Sequence, residues 1–384
     1  MLELCRRCKK RIEGLSIEIT EVNEVEEEEC VYCCGLFLRL SNVAGKIAEE
    51  LNKYEINSIQ VGCLIKGSVK EFENYFFGEA GKIKHEINYE LSNRLCKLLG
   101  AEDVRKSGKI ADVVVNVDAE DLSYKLRITP IYIYGRYIKR VRGIPQTRWM
   151  CSACNGRGCQ VCGFTGKRYP TSIEEMISEP CLKLTEGEEA ILHGAGREDI
   201  DARMLGNGRP FIIEIRKPKI RSVNLKELED AVNRSTGGKL SVKFLGFAEP
   251  KHVSKLKTAN YRKKYRAIVE FEKNVSRDEL EKALEELSYT VVNQFTPKRV
   301  EHRRANVLRR RNTYKLELIL LREKKAVITV EADSGLYIKE LISGDNGRTK
   351  PSLSEILNNP SRVVRLDVLG VLGGLNCFEN VNGG

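Results

Sequence analysis

A short run of charge set among glycines offers the first chemistry in this chain. The segment GAGREDIDARMLGNGRPF, residues 194–211, places Arg-Glu-Asp-Ile-Asp between residues that let the backbone turn tightly. Gly194, Gly196, Gly206 and Gly208 can take positive φ, so the stretch reads as an ordered loop presenting Asp199 and Asp201. Arg197 beside such a carboxylate keeps it ionised, since an opposite charge lowers its pKa. A solvated turn between two elements is the other reading of the same residues. Two later segments could complete a site. In KTANYRKKYRAIVEF, residues 257–271, Tyr261 and Tyr265 stand among Lys257, Arg262, Lys263, Lys264 and Arg266 as a strand begins. Aromatics among cations suit stacking on an extruded base with phosphates alongside, although tyrosines also pack at strand starts. In ITVEADSGLYIKELISG, residues 328–344, a strand ends at Asp333-Ser334-Gly335 and a helix begins, which brings Tyr337 and Lys339 to the turn.

Cysteine supplies a second chemistry. Cys151, Cys154, Cys159 and Cys162 form CSACNGRGCQVC, two C-x-x-C turns joined by a Gly-rich link. Each turn can place two thiolates on one edge of a zinc tetrahedron, so the quartet reads as a structural zinc site. Cys5, Cys8, Cys30 and Cys33 make a second candidate with 21 residues between the pairs, where Cys34 competes with Cys33 as a ligand. One or two structural zinc ions are therefore expected. Cys63, Cys96, Cys181 and Cys377 are isolated and read as core or surface thiols.

Charge and composition narrow the partners. The chain of 384 residues carries a formal net charge of +11, with 41% hydrophobic and 31% charged residues, as an ordinary globular protein does. Residues 251–350 alone hold 24 Lys and Arg against 14 Asp and Glu, whereas residues 1–150 hold 24 against 23. A concentrated cationic face points to a polyanion, with nucleic acid the best candidate. KRVEHRRANVLRRR, residues 298–311, suits a loop that tracks a phosphate backbone. No apolar run approaches the roughly 20 residues of a membrane span, and the N-terminus lacks an apolar signal core, so a cytoplasmic location is expected. GAGRED lacks the third glycine of a dinucleotide loop, no P-loop occurs, and no G-x-S-x-G elbow is present. The 4 histidines are scattered without ligand spacing and read as structural. What remains is a carboxylate-led site on a phosphate-binding surface.

The elements that must carry these groups are legible in outline. Residues 1–40 resemble a small metal-stapled module. A helix is expected from Ser41 with Val43, Ile47, Leu51 and Tyr54 as its apolar stripe. Strands are expected at 59–69, 111–120 and 124–139, with a helix at 85–100. Residues 41–150 thus form an α+β domain, and residues 151–168 a zinc-bearing linker. From 169 to 384 the pattern reads strand 209–220, a helix capped by Asn224, strands 239–248 and 265–273, a helix opening on a Ser276 capping box, and a strand near 289–296. That is the β-α-β-β-α-β order of a split βαβ unit. Strands at 313–321, 326–331 and 362–370, with a helix from about 336, could extend the same sheet.

The combination of GREDIDARMLGNGRPF, KKYRAIVEF and ADSGLYIKELISGDNGRTKPSLSEIL resembles the tRNA pseudouridine synthases of the archaeal-and-eukaryotic class that act on the T-loop. YGRYIKRVRGIPQTRW, residues 134–149, is similar to the segment joining that family's RNA-binding and catalytic domains. The resemblance implies a zinc-bearing, THUMP-containing N-terminal domain and a C-terminal synthase domain, a mixed sheet with two ferredoxin-like halves. It implies tRNA as partner and the T-loop uridine pair, positions 54 and 55, as substrate, with no nucleotide or other catalytic cofactor. The family's catalytic aspartate falls on Asp199, its motif tyrosine on Tyr265, and its third motif on Tyr337 and Lys339. Lys339 stands where bacterial relatives commonly have Arg, which retains an ion pair but not a bidentate one. The chemistry asks for a carboxylate near C1′ and C6, kept ionised in a largely dry pocket by Lys339 or Arg197. Tyr265 would stack on the flipped uracil. Attack on the base, attack on the sugar and removal of a sugar proton all remain open for Asp199, and Asp201 is expected to support the loop. The competing reading is a zinc-containing tRNA-binding protein without catalysis, which leaves the Asp-bearing loop and its separate Tyr and Lys unexplained.

Overall fold

The computed structural model describes residues 2–13, 21–77, 82–303, 305–375 and 378, so Cys377 lies outside the described residues. The chain divides into two compact units. One is Met1–Pro130 with Thr185–Glu188 and Arg216–Ser222; the other is Ile131–Leu184, Glu189–Ile215 and Val223–Gly384.

The first unit contains a four-stranded sheet ordered Glu102–Asp103, Ser58–Leu64, Val113–Asp118 and Tyr124–Ile128. Period-two alternation buries Ile59, Val61 and Cys63 with Val113, Val115 and Val117 on one face. Helices Leu36–Leu51 and Lys82–Leu99 supply the apolar residues of the same core. The first helix starts earlier than its sequence suggests. Gly35 adopts φ 67 directly after the cysteine turn and starts the helix at Leu36, leaving Ser41 in its interior. Its stripe extends backward through Leu36 and Leu40, both buried. The strand expected over 59–69 ends at Leu64, and Gly67–Phe77 is a helix.

The strand expected over 124–139 is two strands in two sheets, Tyr124–Ile128 and Ile131–Lys139. Pro130 separates them, since it lacks a ladder donor and restricts the residue before it. Ile131–Lys139 belongs to the second unit, whose ten-stranded mixed sheet runs Leu240–Ala248, Ile131–Lys139, Arg203–Arg216, Ser361–Leu372, Arg262–Phe271, Lys325–Asp333, Arg309–Arg322, Val291–Gln294 and Thr349–Lys350, with Glu189–Gly194 beside Arg203–Arg216. The α+β class and the mixed sheet agree with the sequence reading. Strand order corrects it in one respect: Leu240–Ala248 pairs with Ile131–Lys139 rather than with a strand that follows it. A helix, Pro250–Thr258, also stands between strands read as consecutive.

The sheet is antiparallel on both sides of one parallel pair, where Asp367 and Val368 face Arg203 and Met204. Two features hold that junction. Asp367 accepts from Arg142 at 2.5 Å, Arg203 at 2.8 and 2.9 Å, and Arg266 at 3.0 Å. Gly206, at φ 56, lets the strands meet so closely that a Cβ there would lie 1.7 Å from the Leu369 carbonyl oxygen. The loop bearing Asp199 enters the sheet at this point.

Candidate active site

Residues 195–202 link strand Glu189–Gly194 to strand Arg203–Arg216. Gly196, at φ 74, makes the turn, as its sequence implied, and Gly206 and Gly208 also have positive φ, whereas Gly194 does not. Backbone bonds shape the rest: Ala202 N donates to Asp199 O at 3.0 Å, and Gly143 N donates to Ile200 O at 2.9 Å. Below the turn lies a buried polar network. Arg209 Nε donates to Glu198 Oε2 at 2.8 Å, and both side chains are about 1% exposed. Tyr137 donates to the same carboxylate at 2.9 Å and accepts from Gln146 Nε2 at 2.8 Å. Gln146 donates also to Gly196 O at 2.9 Å, and Arg209 Nη1 to Ala195 O at 2.7 Å. Lys139 Nζ adds bonds to Ile144 O at 2.8 Å and Ile200 O at 3.3 Å. With Glu198 clamped downward, its neighbour Asp199 is turned toward the opposite side of the loop.

Asp199 Oδ2 lies 3.3 Å from Arg299 Nη1 and 3.6 Å from Lys339 Nζ. Lys339 makes its shorter contact, 2.8 Å, with Asp201. Burial opposes ionisation of Asp201, yet the Lys339 hydrogen bond outweighs it and holds that carboxyl below its ordinary value. Arg299 is itself anchored by Glu340, at 2.7 Å, on helix Ile338–Ser343. The cations bonded to Asp199 are thus Lys339, named from the sequence, and Arg299, which is not among the residues singled out there. Arg197 is exposed and lines the same cavity.

That cavity has a volume of about 570 Å³. Asp199 and Lys339 stand on its lip, Tyr337 and Arg309 line another side, and Tyr265 and Lys263 form part of its floor. Tyr265 is buried on strand Arg262–Phe271; burial pushes its hydroxyl up to about 12, with Arg209 opposing and Asp199 adding to the shift. Tyr337 caps helix Ile338–Ser343, with its backbone N–H bonded to Gln294 Oε1 at 2.8 Å and two guanidiniums, of Arg299 and Arg309, each 5.9 Å from its ring. Tyr261 points away from this role, donating to Leu256 O at 3.2 Å in the core. The pocket is less dry around the carboxylate than expected: the Asp199 side chain is 38% exposed, because its partners sit on the rim rather than above it. Segment 298–311 is a short turn, Lys298–Arg303, followed by the strand Arg309–Arg322; it delivers Arg299 and Arg309 to the site.

Both cysteine quartets are assembled. The sulfurs of Cys5, Cys8, Cys30 and Cys33 lie within 4.8 Å of one another, as do those of Cys151, Cys154, Cys159 and Cys162. Cys5 to Cys33 spans 3.8 Å, Cys151 to Cys159 4.0 Å and Cys154 to Cys162 3.9 Å. A tetrahedron with Zn–S of about 2.3 Å has edges of about 3.8 Å, so the donor sets fit zinc. Cys34 is exposed and outside the quartet, which settles the competition with Cys33. Cys63 and Cys181 are buried outside the quartets, and Cys96 is partly buried. His193 pairs with Glu214 and His252 bonds the Glu249 N–H, structural tasks both. Among the described residues, no helix is long and apolar enough to cross a membrane.

Known proteins match most of this chain. Residues 132–371 match the family described as Pus10, C-terminal. The tRNA pseudouridine synthase Pus10 of Archaeoglobus fulgidus is 44% identical over 96% of this chain and 100% of its own length. That of Methanocaldococcus jannaschii is 41% identical over 91% of this chain and 76% of its own. Among solved structures, a Cbf5-Nop10-Gar1 complex aligns at a TM-score of 0.36 and 15% identity, over 62% of this chain and 48% of that one.

Proposed function

Because the chain belongs to the Pus10 family of tRNA pseudouridine synthases, we propose that its cavity receives a T-loop uridine of tRNA, position 54 or 55, and that Asp199 is the catalytic carboxylate. The single observation that carries this reading is the convergence of Asp199, Lys339 and Tyr265, distant in sequence, on one cavity of about 570 Å³. A uridine inside a folded tRNA must be everted to reach such a site, at an unstacking cost of a few kcal/mol. Tyr265 on the floor and Tyr337 on the wall offer ring faces that offset part of that cost. Arg299 and Lys339 hold Asp199 and aim it at the sugar–base linkage, while Asp201 occupies Lys339 and steadies the loop. Isomerisation moves the C1′ bond from N1 to C5 of the same base, so it is redox-neutral and calls for no cofactor.

The remaining residues fit an RNA-handling role. Arg197, Arg309 and Lys257 line the cavity and suit phosphates on either side of the everted nucleotide. The first unit, chiefly the residues up to Pro130 and THUMP-like, would dock the tRNA, and the two cysteine quartets would each hold structural zinc. Asp199→Asn tests the assignment. The variant should bind a tRNA transcript as wild type does and yield no pseudouridine on mapping of positions 54 and 55. Retained turnover would move the role to Asp201 or out of this loop.

A further inference from the structure

Lys263 lies two residues before Tyr265, so strand alternation puts both side chains on the face that floors the cavity. Lys263 is 6% exposed, an uncommon position for lysine. Its ammonium rests against the Asp-bearing loop: a Cβ built on Gly196 would lie 2.9 Å from Lys263 Nζ and 3.4 Å from Arg209 Nη1. Among the described residues, Nζ has neither a hydrogen-bond acceptor nor a carboxylate ion-pair partner. Glu198, the nearest buried acid, is already taken by Arg209 and Tyr137. One buried anion, Glu198, therefore stands among three buried cations, Arg209, Lys139 and Lys263, and of these Lys263 lines the cavity without an acceptor.

We propose that Lys263 is a further catalytic residue, donating a hydrogen bond from its ammonium to a carbonyl oxygen of the everted uracil and stabilising the negative charge that builds on the base. The inference rests on the reading of this cavity as the uridine pocket. Uracil enters neutral. When the C1′–N1 bond breaks, its electron pair goes to the base, and the resulting uracilate spreads charge over N1 and both carbonyl oxygens. C5 then bonds to C1′; the proton lost from C5 balances the one gained at N1, and Lys263 keeps its own proton throughout. A cation preorganised in a dry floor acts on that developing charge far more strongly than one in water. A rim lysine could serve a permanent phosphate, but a buried ammonium on the cavity floor is reached by the edge of a base.

The ionisation of Lys263 gives the proposal a signature. Burial pushes its ammonium down to about 7, with Arg209 adding to the shift and Glu198 opposing it. The groups facing it are Arg209 from its strand, Glu198 and Asp199 from the loop and Tyr265 from its own strand; arginine stays charged and the Tyr265 hydroxyl is at about 12. The active form is protonated, so the single-turnover rate should fall as pH rises above about 7.

The test is single-turnover pseudouridine formation on a T-loop transcript with wild type, Lys263→Met, Lys263→Gln and Lys263→Arg, beside Asp199→Asn. Met and Gln variants should lose about 10²-fold in rate, with tRNA affinity within about twofold and folding intact by thermal melt. Lys263→Arg should retain more rate and lose the alkaline decline, since arginine does not titrate there. A Lys263→Met rate within threefold of wild type, with Asp199→Asn inactive, overturns the lysine's role alone. Lost tRNA affinity with unchanged rate at saturation would make Lys263 a phosphate contact and likewise overturn it. An active Asp199→Asn would remove the pocket reading and the inference with it.

Discussion

Replacing Glu198 by Gln removes the one buried anion beneath the loop while preserving its shape. Glu198 and Arg209 are both about 1% exposed, so no solvent screening weakens the pair. Removing one partner of such a pair costs about 3–5 kcal/mol, chiefly because the other charge stays buried and uncompensated. Gln still accepts from Arg209 Nε and Tyr137, which places the expected loss near the low end, about 3 kcal/mol. For a unit of this size that corresponds to a melting point lower by about 6–12 °C. Chemical denaturation followed by tryptophan fluorescence and circular dichroism measures it. The double variant Glu198→Gln/Arg209→Met should recover part of the loss, because one stranded charge is gone while Lys139 and Lys263 stay buried. Activity reports separately. Without Glu198, which holds the Lys263 ammonium up against burial, the alkaline decline in rate should move to lower pH. A Glu198→Gln protein within about 0.5 kcal/mol of wild type, with an unmoved pH profile, would refute the network as the support of the loop.

Three further outcomes follow from the buried charges and the cysteine quartets. Lys263→Met should melt higher than wild type at pH 6, because below about 7 the wild type holds an ammonium in a dry site. The gain should shrink as pH climbs toward about 10.4, where the unfolded lysine also loses its proton and no charge remains to bury. At Asp367, burial disfavours the carboxylate, but bonds from Arg203 and Arg266 and the nearby Arg142 charge outweigh it and hold the carboxyl far below its ordinary value. Its contribution is present above the unfolded value of about 3.9 and lost as pH falls below it, so Asp367→Asn should lose about 2 kcal/mol at pH 7 and show a flatter acid limb. Metal analysis should return two zinc per chain; Cys154→Ser should return one, with the melt of the second unit lowered.

The sequence exposed more of the site than of the sheet that holds it. Asp199, Tyr265, Tyr337 and Lys339 were marked by local patterns: glycines at a turn, aromatics among cations, a strand giving way to a helix. Both cysteine quartets were legible because ligand spacing is a local property. Strand order was not, because Leu240–Ala248 meets Ile131–Lys139 across about a hundred residues and no periodicity encodes that choice. Pro130 held a readable break that the continuous alternation of 124–139 concealed. Lys263 and Arg299 were in view only as members of charged runs. The signal for Lys263 was its parity: Lys263, Tyr265, Ala267 and Val269 share one strand face, and a lysine among three buried residues is an ion with a task. Arg299 had no such mark, since only tertiary contact with Glu340 selects it from the basic run.

That contact bears on what a lysine rather than an arginine does at position 339. A guanidinium can hold one carboxylate through two parallel bonds, whereas an ammonium is a point charge that serves several acceptors singly. Lys339 uses that property, lying 2.8 Å from Asp201 and 3.6 Å from Asp199. The planar fork enters from the other side: Arg299 binds Glu340 through Nε at 2.7 Å and reaches Asp199 with Nη1 at 3.3 Å. The aspartate thus keeps two cationic neighbours without a bidentate pair. Held this way it is oriented while still exposed, and its oxygens are not saturated by a single partner. A carboxylate that must act on an incoming sugar or base gains from that arrangement. Closure of RNA over the rim would exclude water and strengthen each of these pairs at the moment the reaction needs them.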